Sequence, residues 1–239
     1  MDMIPPAHRP TPRPRAHRIL LGHRCYWSRR ITSVRNKIRR ILSDYNADRE
    51  DLFTTMGLAY LAKVAVMEAD RFVLDQLTEQ WQQHRDRLEK IDAELQAFAA
   101  NAPVAEGEAR AVLDTIAGVG PVTVDVVISE LGNIDRFRSA KKVCAYAGLA
   151  PGQRESAGPT KDLGITKQGS GLLRWVMVEA AWRVVYRTNR RKTIFEALAQ
   201  RRGRKKAIVA VARRLLCVMV GMMRSGRAYQ APLVNQAVA

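Results

Sequence analysis

What the sequence lacks narrows it first. Cysteine is scarce: Cys25, Cys144 and Cys217 lie far apart with no CxxC or Cys/His spacing. Neither a disulfide framework nor a zinc or other metal site is indicated, and the three read as reduced packing residues. Long apolar runs are missing too. The one near the C-terminus, Leu215 to Met223, is nine residues, well short of the roughly 20 that a spanning helix needs. The opening Met1 to Pro14 is rich in Pro and Arg and has no apolar core of a secretory signal. Acids are few: 23 Asp and Glu stand against 40 Lys and Arg, a net charge of +17. An excess of that size predicts a polyanionic partner. With no spanning or export segment, the expectation is an intracellular protein whose partner is nucleic acid and not a membrane.

What is present supports a folded, helical chain. With 47% hydrophobic residues in 239, it can bury a core and has room for one or two units. The charge is unevenly spread. Residues 1–50 carry 12 basic and 4 acidic side chains, 51–110 carry 6 and 11, 111–150 carry 4 and 4, and 151–239 carry 18 and 4. Two basic ends flank an acidic middle.

Pro5 to Arg18, with five prolines and four arginines, predicts an irregular tail, assigned to residues 1–21. From Arg24 to Tyr45, Trp27, Ile31, Val34, Ile38, Ile41 and Leu42 recur at three and four, an amphipathic helix whose polar face is almost wholly cationic. Leu74, Leu77, Trp81, His84, Leu88, Ile91, Leu95 and Phe98 then trace a heptad seam. That seam fits a coiled coil joining two copies, or equally an intramolecular hairpin with the 24–45 helix. His84 reads as a spacer in it. The helical region is placed at 22–102, with a linker at Asn101 to Gly107.

Residues 113–130 set apolar helix, the turn Gly118-Val119-Gly120 and apolar helix again, a pattern that resembles the helix-hairpin-helix motif. Its glycines permit a tight turn, and amides at the start of the second helix can face a phosphate, so Gly118, Gly120 and Thr123 are candidate backbone contacts that read no sequence. A plain connection between packed helices is the bland alternative. A helix-hairpin-helix glycosylase fits poorly: the lysine of the bifunctional type is replaced by Val122, and Asp135 sits in a turn-like Gly132 to Phe137.

The segments that follow are Ser139-Ala140, Tyr146 to Pro151, Arg154-Glu155-Ser156-Ala157-Gly158, Gly164 to Ser170 and Leu173-Arg174, with Lys205 to Arg213 beyond. In this order they resemble the C-terminal transposase domain of insertion-sequence family one-hundred-ten, the bridge-RNA-guided serine recombinases. The resemblance places a transposase domain at 108–229 and a tail at 230–239. It implies site-specific cleavage and rejoining of DNA in a bacterial cytoplasm, at the nucleoid, with Ser156 as nucleophile, and Ser170 in a matching segment as the weaker candidate. Arg154, Lys161, Thr166, Lys167, Gly169, Arg174, Lys205 and Lys206 join the hairpin residues as expected DNA contacts. The partners it implies are DNA, a guide RNA, and a second copy through the coiled coil. In the intact family Mg²⁺ is held by four carboxylates of an N-terminal RNase-H-like domain. Only Asp2 precedes residue 44 as an acid here, so the expectation is an N-terminally truncated chain that binds no cofactor itself. The fold expected is all-α: a basic helical hairpin or coiled coil, then a helical transposase domain. A noncatalytic DNA- or RNA-binding, dimerising remnant is the alternative of a different class.

Overall fold

Apolar spacing at three and four is realised as helix almost throughout. The computed structural model describes residues 9–154 and 161–230, and these form an all-α protein with one two-stranded hairpin. Two units divide the chain, Ile19–Ala100 and Met1–Arg18 with Asn101–Ala239.

The first helix, α1, spans Pro12–Asp44, which corrects the expected tail over residues 12–21. Prolines at the first turn forfeit only N–H groups that have no intrahelical partner. Tertiary contacts also anchor this end. Arg13 Nη2 donates to Glu106 at 3.0 Å, His17 Nε2 lies 3.2 Å from Asp125 Oδ1, and Arg18 donates to the carbonyls of Ser129 and Glu130 at 2.8 and 3.0 Å.

In the unit Ile19–Ala100, α1 continues, followed by α2 (Thr55–Leu61) and α3 (Glu68–Ala100). Thr54 caps α2 by accepting from the Gly57 amide at 3.1 Å. Leu74 and Trp81 of α3 are buried in one cluster with Val34, Ile38 and Leu42 of α1 and Leu52 and Leu61 between them. The heptad seam is thus met by α1 of the same chain. Of the two readings of the seam, the intramolecular hairpin is the one that Leu74, Leu77 and Trp81 form with α1.

In the other unit, α4 (Val104–Asp114) and α5 (Pro121–Leu131) lead to a short 3-10 turn at Ile134–Arg136 and to α6 (Ala140–Tyr146). Strands β1 (Pro151–Arg154) and β2 (Lys161–Ile165) precede α7 (Gly171–Arg187), α8 (Asn189–Arg202) and α9 (Arg204–Ser225). The linker is shorter than expected, because Gly107 lies inside α4 and Pro103 forms its N-cap. The apolar stripe of α9, from Ala207 through Val211, Leu215 and Met219 to Met222, is buried and packs against α4, α6, α7 and α8. Cys144 is buried with its Sγ 3.4 Å from that of Cys217. Burial and that neighbouring thiol push its pKa up to about 12, as expected for a packing cysteine. No helix among the described residues is long and apolar enough to cross a membrane.

Candidate nucleic-acid interface

Six residues separate α4 from α5. Gly118 adopts φ +94, and a Cβ there would stand 3.1 Å from the Val184 amide nitrogen of α7. Its lack of a side chain therefore lets the turn lie on α7. Gly120 is extended, Pro121 opens α5 without an N–H, and the amides of Thr123 and Val124 both return to the Gly120 carbonyl at 2.9 and 3.2 Å. Thr123 is 6% exposed. The helix start consequently offers a ligand fewer amides than the motif suggests, and the Thr123 side chain faces the interior. What the turn gains instead is Arg183, an exposed residue whose Nη1 would lie 3.8 Å from a Cβ on Gly120. Sequence reasoning missed that pairing, because 63 residues separate the two.

The second cluster is built where α6 ends. Gly148 (φ +67) and Gly169 (φ +82) let two loops touch: a Cβ on the first would meet the Gln168 carbonyl oxygen at 2.0 Å, and one on the second the Tyr146 carbonyl oxygen at 1.9 Å. Lys167 is exposed and held at φ +55, a left-handed conformation that costs a non-glycine residue on the order of 1 kcal/mol. Its amide donates to the Gly148 carbonyl at 3.1 Å, which pins the turn. Arg174 Nη1 donates to the carbonyls of Ala147, Gln168 and Gly169 at 3.2, 3.0 and 3.1 Å. Through Nη1 Arg174 thus organises this loop. The Thr166 hydroxyl is buried without a partner, so it too is directed inward.

Ser170 caps α7, accepting from the Leu173 amide at 3.2 Å. Its hydroxyl donates to Glu130 Oε1 at 2.7 Å. Glu130 is 8% exposed, with Arg18 Nε 3.7 Å from its other carboxylate oxygen. A carboxylate in the apolar run Val124 to Leu131 was the one sequence signal of this network.

Between β1 and β2 the antiparallel register pairs Arg154 with Lys161. Ser156 belongs to the intervening segment and lies outside the described residues. Lys205 and Lys206 are exposed in the first turn of α9, after Gly203 and the exposed Arg201 and Arg202. The first turn of α9 contains no acid, so the positive end of its dipole and the charges of Lys205 and Lys206 reinforce each other. Arg204, also exposed, lies over the rings of Trp182 and Phe195 at 5.9 and 5.4 Å. Among the described residues no group of three or more His, Cys, Asp or Glu is placed to hold a metal ion.

Residues 110–196, from α4 into α8, match the family model described as Transposase IS116/IS110/IS902 family. A probable family 20 transposase of Pseudomonas aeruginosa is 25% identical over 212 residues, 83% of this chain and 60% of its own length. The transposase for insertion sequence element IS1111A of Coxiella burnetii is 29% identical over 122 residues, 49% of this chain and 34% of its own. A pilin gene-inverting protein of Moraxella bovis is 29% identical over 121 residues, 49% of this chain and 38% of its own. The chain spans between about one third and 60% of the length of these relatives.

Proposed function

We propose that this chain acts as a transposase of an insertion sequence, gripping DNA by its backbone and cleaving and rejoining strands through Ser156. The observation that carries this reading is the family match over residues 110–196, which spans the Gly118 turn, the β1–β2 hairpin and α7. The chemistry is transesterification. Attack of the Ser156 hydroxyl on a phosphodiester forms a phosphoserine linkage and frees a strand hydroxyl. Attack by a second strand's hydroxyl rejoins the backbone and returns the serine. A phosphorane carries excess negative charge, so the site needs cations held in advance; Arg154 and Lys161, paired in the hairpin register, are the nearest in sequence. Arg183, Lys167, Lys205 and Lys206, all exposed, would hold the flanking backbone. A guide RNA, implied by the resemblance, would compete for cations of the same kind.

The salt dependence of binding tests the grip. Each phosphate that the protein no longer neutralises lowers the log–log salt slope on duplex DNA by about 0.9. The Lys205→Ala, Lys206→Ala double variant should lower it by about 2 and weaken binding alike on unrelated duplexes. An unchanged slope would count against this surface.

A further inference from the structure

The unit Ile19–Ala100 holds a second cationic feature that the transposase reading leaves unused. One wall of the α1–α3 hairpin opens into a groove of about 270 Å³, lined by Tyr26, Trp27, Arg30 and Lys37 of α1 and by His84 and Arg87 of α3. No Asp or Glu lines it. Other arginines of this unit are neutralised: Arg24 Nε is 2.5 Å from Asp92, Arg39 Nη1 is 2.9 Å from Asp48, and Arg71 Nη1 is 3.3 Å from Asp75. Arg30 and Arg87 rest on aromatic faces instead, 5.0 Å from the Tyr26 ring centroid and 4.7 Å from that of Trp27.

A ring face orients a guanidinium without consuming its N–H donors or cancelling its charge. The two forks are therefore preorganised and still available. The Trp27 ring is itself fixed, donating from Nε1 to His23 Nε2 at 3.1 Å and packing on His84 with centroids 5.0 Å apart. Burial and the charges of Arg87 and Arg30 lower the His84 pKa, the response expected of a site with an uncompensated positive field.

We propose that this groove is a second nucleic-acid site, taking the phosphodiester backbone of a strand on Arg30, Lys37 and Arg87. It rests on the nucleic-acid reading of the chain, yet it lies outside residues 110–196 and does not involve Ser156. Lys37 and the two arginines supply three cations on one wall, and the 45%-exposed Tyr26 supplies a flat edge beside which a base can lie.

The test measures the full-length chain by fluorescence anisotropy on labelled single-stranded DNA, single-stranded RNA and duplex DNA of one sequence, over a salt series. In the Arg30→Gln, Arg87→Gln variant the groove should lose affinity by about tenfold at moderate salt, and its salt slope on a single strand should fall by about 1.4. The arm with the largest drop identifies the strand type. Arg30→Lys with Arg87→Lys, which keeps the charge, should retain the wild-type slope. Wild-type affinity and slope in the Gln variant on all three nucleic acids would overturn the proposal, as would an equal fall of slope in the Lys variant. If Lys205→Ala with Lys206→Ala still lowers the slope while the groove variants do not, the groove alone is refuted. If neither surface matters, the nucleic-acid reading falls with it.

Discussion

Ser170 Oγ donates to Glu130 Oε1 at 2.7 Å while accepting the Leu173 amide at 3.2 Å, so one hydroxyl joins the start of α7 to the end of α5. Through it the loop that carries Lys167 is tied to a buried carboxylate. That fixed geometry is why Ser170 serves here as a capping residue: its oxygen is committed on both sides.

Replacing Ser170 by Ala removes an N-cap worth about 1 kcal/mol and a hydrogen bond to a charged acceptor worth about 1.5–3 kcal/mol. Urea unfolding should show a loss of about 2.5–4 kcal/mol. Glu130→Gln, which can still accept from the hydroxyl, should lose less. Equal losses in the two variants would contradict the network.

Asp125 supplies a pH dependence. Burial favours its neutral form, but hydrogen bonds from His17 and Arg110 outweigh that and hold its carboxyl below the ordinary value. A carboxyl depressed on folding adds stability above its unfolded pKa of about 3.9 and loses it as pH falls through the lower folded value. The urea midpoint should therefore drop below about pH 4. Asp125→Asn should flatten that limb and cost about 3 kcal/mol at neutral pH, since Arg110, 2.6 Å from the carboxylate, loses the nearer of its two charged partners and keeps only Glu106 at 3.6 Å. A variant with the wild-type acid limb would contradict this.

The two glycines of the α4–α5 turn should behave differently. Gly118 has φ +94 and a Cβ there would meet the α7 backbone at 3.1 and 3.2 Å, so Gly118→Ala should cost about 2 kcal/mol or more. Gly120 is extended at φ −103, and its nearest neighbour would be the flexible tip of Arg183 at 3.8 Å. Gly120→Ala should change the thermal midpoint little. Similar losses at both positions would show that the turn does not lie on α7 as described.

Much of the fold could be read from periodicity, because the apolar spacing of α1 and α3 dictates which faces are buried. Which partner the α3 seam meets could not be read: a seam is the same whether its neighbour is α1 or a second chain. The start of α1 was illegible for a related reason. His17 and Arg18 hold their helical places through contacts with Asp125 and Glu130, more than 100 residues away. At the interface, the glycine turn was legible but its packing was not, since Gly118 makes room for α7, an element more than 50 residues further along the chain. That Arg174 Nη1 ties three loop carbonyls together was not legible in its neighbours in sequence.

The proposed strand cleavage is tested most directly by the chemistry of Ser156. The protein is incubated with DNA and Mg²⁺, with an RNase-H-like carboxylate domain supplied in trans, then denatured, treated with nuclease and proteolysed for peptide mass spectrometry. The expected result is a nucleotide phosphate on the peptide carrying Ser156, absent in Ser156→Ala, while DNA affinity stays unchanged. An unmodified Ser156 peptide, or an adduct that survives Ser156→Ala, would contradict it.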